Sequence, residues 1–131
     1  MQTQLEKNKA AVIRFNKAFL EKGDVQAFEE IVAPDFINHT AASVGQPSGR
    51  EGVLNFIKNI LHVAVTDIRV EIYDQVAEGD TVVTRKAIIG KQVGELLGKP
   101  ATGQQITMHI IDIIRLRDGR YTEHWSLRSM Q

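Results

Sequence analysis

An α+β fold is predicted for this 131-residue chain by three observations. Apolar residues in the first half recur at helical spacing. Those in the second half alternate at strand spacing. The change happens once, near Thr66, so a run of helices precedes a run of strands, and such an order folds as helices packed on an antiparallel sheet.

The first helix is expected over roughly 3–22, where Leu5, Val12, Phe15, Phe19 and Leu20 form one apolar stripe. Gly23 ends it, and Asp24 caps a second helix running to about Val32. Ala33-Pro34 stops that helix, because proline has no N–H to donate and its ring clashes with the preceding turn. Residues 35–40, DFINHT, read as a short extended piece, and 41–49, AASVGQPSG, as a loop. A third helix is expected over about 49–64, with Val53, Phe56, Ile57, Ile60 and Leu61 inward. Beyond it, Ile68, Val70 and Ile72 alternate with polar residues, Glu78-Gly79-Asp80 is a turn, and 81–89 is a strand. The glycines and proline of 94–104 make a loop, and 106–116 with 120–128 make a closing hairpin. No repeat, linker or low-complexity tract interrupts the chain, so 1–131 is expected to be one domain with one core.

Composition narrows the function classes. Lys+Arg and Asp+Glu are both 16, so the net charge is zero, which speaks against a nucleic-acid surface and leaves self-association unopposed. The absence of cysteine excludes disulfides and thiolate metal sites. The beginning, MQTQLEKNKAA, has no apolar signal core, and no stretch has the apolar length of a membrane span; the expected location is cytoplasmic. No two histidines stand at metal-ligand spacing, and no phosphate loop or dinucleotide fingerprint is present, so neither a metal nor a cofactor is expected.

The closing hairpin carries the chemistry. His109, Asp112, Glu123 and His124 sit inside its apolar runs, where charge is costly unless paired or lining a cavity. Leu116–Arg120 is expected to turn through a three-residue loop with Gly119 left-handed. That register sets Asp112 directly opposite His124 and Ile110 opposite Ser126. It leaves His109, Ile111 and Ile113 with Glu123, Trp125 and Leu127 on the other face. A two-residue loop shifts the register by one and breaks the Asp112–His124 pair. A carboxylate beside an imidazole favours its protonated form and fixes one tautomer, which suits proton transfer; a structural ion pair is the plainer alternative.

The run Gly94-Glu95-Leu96-Leu97-Gly98-Lys99-Pro100-Ala101-Thr102-Gly103 resembles the GE-x-x-G-x-PATG segment of SnoaL-like polyketide cyclases. The same order continues in Asp112-Ile-Ile-Arg115, Asp118-Gly119-Arg120 and Glu123-His124-Trp125. Upstream it includes Gly23-Asp24, Ala33-Pro34-Asp35, His39, Gly49-Arg50-Glu51-Gly52 and Val76–Asp80, so the likeness spans nearly the whole chain. The resemblance implies the cone-shaped nuclear-transport-factor-2-like fold, three N-terminal helices over a strongly curved antiparallel sheet, with a pocket inside. It implies cofactor-free acid/base chemistry on a small apolar or polycyclic carbonyl compound, and a homodimer through the outer sheet face. The glycines and PATG serve turn geometry and a strand corner.

The chain departs from that pattern at two places. The aspartate that acts as acid/base after the tryptophan is here Ser126, and a family histidine falls on Asp112. The ketosteroid isomerases, of the same fold, keep an aspartate at the position of Asp112, but their tyrosine falls on Asn16 and their base on Thr40 or His39. The expected catalytic set is therefore Asp112, His124 and His39, with Asn16, Phe15, Thr40, Ile110, Ser126 and Arg128 binding substrate. Only one of Asn38 and His39 can face the cavity, because neighbours on a strand point to opposite sides. Trp125 suits the core or the dimer contact, and His62 a helix C-terminus. Two other readings stay open: a non-catalytic small-molecule-binding module, and a dimeric interaction domain without chemistry.

Overall fold

The computed structural model describes residues 2–130. Helix α1 (Gln4–Arg14) starts at Thr3, whose side chain accepts the Glu6 N–H while Glu6 accepts the Thr3 N–H. It runs on without a break through a π-helical stretch, Phe15–Glu21. Asp24 caps α2 (Val25–Ile31) by accepting the N–H groups of Gln26 and Ala27. The chain then enters β1 (Val32–Asn38) and a one-turn helix α3 (His39–Ser43), where an extended piece and a loop were expected. Asn38 caps α3 by accepting the Ala41 N–H at 3.1 Å, which turns the chain where extended residues would have continued. Helix α4 (Arg50–Asn55) continues through π-helical Phe56–Leu61 to α-helical His62–Ala64. Its end is tied to α1 by His62, whose Nε2 lies 2.7 Å from the Leu20 carbonyl.

Four long strands follow: β2 (Val65–Glu78), β3 (Thr81–Gln92), β4 (Gln105–Arg117) and β5 (Arg120–Met130). The five-stranded sheet has the order β1-β5-β4-β3-β2. It is antiparallel except at one edge, where β1 runs parallel to β5. Strand β4 shows the plainest alternation: Met108, Ile110, Asp112, Ile114 and Leu116 are buried and the residues between them exposed. Its buried face, with Val82 and Ile88 of β3 and Val70 of β2, meets Val12, Phe19, Phe28 and Leu61 from the helices in one core. Gly90 lets β2 come close at its bulge, since a Cβ there would lie 2.4 Å from the Val65 side chain.

The hairpin departs from its expected register. Asp118 and Gly119 both have positive φ, 54° and 76°, and Arg117 pairs with Arg120, so the loop has two residues. Asp-Gly suits this mirror-image turn, whose twist matches the strands better than the longer loop's. Such a turn alone would send His124 to the opposite face from Asp112. A bulge between Arg115 and Leu116 adds Thr122 to β5 and restores the parity, and the Thr122 hydroxyl donates to the Arg115 carbonyl at 3.0 Å. Asp112 thus pairs with Ser126, Ile114 with His124 and Ile110 with Arg128. Beyond the bulge the expected partition of faces stands, with every pair displaced by two residues; on the turn side Leu116 pairs with Tyr121, which joins the inner face.

Candidate functional site

Between the sheet's inner face and helices α1, α3 and α4 lies a cavity of about 670 Å³, within the range of small-molecule sites. Its wall is mostly apolar, including Phe15, Phe36, Phe56, Met108 and Ile110. Phe15 packs against Tyr121 with ring centres 4.7 Å apart, and both line the cavity. Thr40 also faces the cavity; its Oγ1 accepts the Ser126 N–H at 2.9 Å, tying α3 to β5 beyond the point where β1 stops pairing.

Asp112 and His124 come together, although diagonally and not face to face. His124 Nε2 lies 2.8 Å from Asp112 Oδ1, and both side chains line the cavity with Ser126. The carboxylate's second oxygen, Oδ2, takes the ammonium of Lys86 at 2.6 Å. Lys86 Nζ also donates to Asn16 Oδ1 at 2.6 Å, and Asn16 donates to the Val12 carbonyl at 2.9 Å. The result is a polar chain from helix α1 through β3 and β4 to β5: Asn16, Lys86, Asp112, His124. Burial by itself would push the Asp112 carboxyl up. The Lys86 ammonium and the His124 hydrogen bond overcome it and hold the group well below the usual carboxylate range.

That charge state fixes the imidazole. An ionised Asp112 can only accept, so Nε2 carries the proton that points at it. Nδ1 has no hydrogen-bond partner among the described residues, and in this tautomer it holds a free lone pair. Tyr121, buried and near Asp112, has its phenol pushed well above its ordinary value by burial and then by that carboxylate, so it stays a neutral donor at the cavity wall.

Two expected residues lie elsewhere. His39 is on the outer face: its Nε2 is 3.0 Å from Glu123 Oε1, and its ring stacks on Trp125 at 4.5 Å and 11°. Its neighbour Asn38 is the one that faces the cavity, so His39 is withdrawn from the catalytic set. Asn16 does not line the cavity but lies beneath it, 1% exposed, as the anchor of Lys86. Lys86 was missed, although Val82, Thr84, Lys86 and Ile88 share the inward parity of their strand; a lysine in the middle of an inward-facing row is the signal that marks it. Phe15, Thr40, Ile110, Ser126 and Arg128 all line the cavity. Among the described residues, no three histidine or carboxylate side chains gather as metal ligands would.

The family model described as SnoaL-like polyketide cyclase matches residues 10–130. Among solved structures, IdmH of Streptomyces antibioticus, a proposed polyketide cyclase, is 29% identical over 93% of this chain and 91% of its own, with a TM-score of 0.80. TsrD of Streptomyces laurentii is 26% identical over 98% of this chain and 92% of its own, with a TM-score of 0.85. A proposed polyketide cyclase of Bacillus cereus is 29% identical over 98% of this chain and 79% of its own, with a TM-score of 0.78. No protein of curated function matches the chain.

Proposed function

Because the chain belongs to the SnoaL-like polyketide cyclase family, we propose that it is a cofactor-independent enzyme that moves a proton next to the carbonyl of a small, largely apolar compound. One observation carries this reading: the cavity-lining imidazole of His124, held through Nε2 by a carboxylate that Lys86 neutralises. His124 is the base. Its Nδ1 takes a proton from the carbon beside the carbonyl, the C–H electron pair passes into an enolate, and the charge develops on oxygen. Asp112 orients the ring and accepts the Nε2–H; it does not itself remove the proton. Tyr121 is the neutral donor proposed to meet the enolate oxygen. The imidazolium then returns its proton to the product, so nothing is consumed. Ser126 occupies the position where the family places an acid/base aspartate, and His124, two residues earlier on the same face of β5, takes over that work.

The test is exchange of hydrogen for deuterium in D₂O, using the bicyclic ketone 2-tetralone and NMR. The wild type should exchange the positions beside the carbonyl faster than buffer, and His124→Gln should lose about 10²–10⁴-fold of that rate. No exchange above buffer, or an undiminished rate in the variant, would leave a binding module as the better reading. We also propose that the outer sheet face, where Ile111, Ile113 and Leu127 are exposed, joins two copies of the chain.

A further inference from the structure

The ionisable side chains that line the cavity are Glu51, Lys86, Asp112, Tyr121, His124 and Arg128. Lys86 and Asp112 neutralise one another. Arg128 is different: it makes no ion pair or hydrogen bond with any described residue, and its guanidinium lies 5.7 Å over the ring of Phe56. It is exposed, as are the lining residues Val44, Ile60 and Leu97, so Arg128 stands where the cavity meets solvent. Glu51 is also exposed there but lies outside ion-pair distance of Arg128. It stands five residues before Phe56 on α4, on the order of 7 Å along the helix axis.

His124, Ser126 and Arg128 follow one another on the inner face of β5. Four residues of strand separate the base from the cation, roughly 13 Å of backbone. Between them on that face lies Ser126, opposite Asp112; from there outward the wall is apolar, with Ile110 opposite Arg128, Met108 one step beyond it on β4, and Phe56 in the π-helical continuation of α4. An elongated ligand would therefore set its reacting carbonyl against His124 and its far end beside Arg128.

We infer that Arg128 recognises a carboxylate at the far end of the substrate, so that the substrate is an elongated apolar keto acid. The identification of a carbonyl compound rests on the proposed function; the acid group is the addition. A planar guanidinium matches a carboxylate with two parallel hydrogen bonds. A single cation, with Glu51 at the same opening, fits one negative charge better than a phosphate dianion.

The experiment is calorimetric titration with 9-oxodecanoate and its uncharged counterpart 9-oxodecanamide. The wild type should bind the acid about tenfold more tightly than the amide. Arg128→Gln should bind both as weakly as the wild type binds the amide, and Arg128→Lys should keep part of the preference. The Arg128 side chain is exposed and makes no hydrogen bond or ion pair among the described residues, so these variants retain their structure. Equal affinity for acid and amide, a preference that persists in Arg128→Gln, or no binding of either ligand at millimolar concentration would each overturn the inference. His124→Gln should keep the acid preference. Failure of proton exchange with that preference intact overturns the chemistry alone, and exchange without the preference overturns the carboxylate site alone.

Discussion

Asp112 makes the site expensive to alter. Two buried charges, 4% and 8% exposed at their side chains, satisfy each other at 2.6 Å. Removing one leaves the other buried without a counter-charge. Asp112→Asn should therefore cost about 3–5 kcal/mol of stability, read as a lowered urea midpoint at neutral pH. The pH dependence follows from the same contact. The folded carboxyl is held below its ordinary value of about 3.9, so its contribution is fully present above that value. It is lost as pH falls below about 4 toward the folded value. The wild type should lose stability below about pH 4 more steeply than Asp112→Asn, and parallel curves there would contradict the assigned charge state. Lys86 escapes a sequence reading because lysine in a strand usually marks solvent. The inward parity it shares with Val82, Thr84 and Ile88 is the one sign against that habit, and the pairing of β3 with β4 sets it diagonally beside Asp112.

The elements were largely visible in the chain, and their irregularities were not. Three helices and the strands follow from periodicities of 3.6 and 2 that many side chains repeat, so one exception does not disturb them. Gly90 illustrates the opposite case. Its need for a bare α-carbon comes from β2, whose bulge carries Asp67 at positive φ. Gly90→Ala should destabilise the fold by about 1–3 kcal/mol through overpacking, measurable in the same urea titration; an unchanged midpoint would mean that β2 moves aside freely. The hairpin was read with the three-residue loop preferred over the two-residue one and with no bulge at Thr122. The shorter turn and the extra residue Thr122 offset each other in parity. The Asp112–His124 contact was thus expected rightly for a partly mistaken reason. His39 was misplaced because Asn38 begins a helix at that point, and a local side-chain cap of this kind leaves little trace in hydrophobic pattern.

The sheet presents two faces of different character. The inner one holds the cavity. The outer one shows Ile111, Ile113 and Leu127, the last 78% exposed, beside Trp125 with its stacked His39. Leu127→Glu should turn a dimer into a monomer in sedimentation equilibrium while leaving proton exchange intact; a wild type that sediments as a monomer would remove the proposed contact. The inner face has a further consequence. A fold that keeps about 670 Å³ open between its sheet and helices forgoes the contacts that would otherwise fill that space. A guest that fits restores them, and it binds the native state alone. Melting temperature thus becomes a gauge of occupancy: a ligand at a hundred times its Kd adds about 2.7 kcal/mol. Heating the protein with panels of apolar acids, amides and ketones can rank their fit before any reaction is known. The cavity makes the protein its own assay.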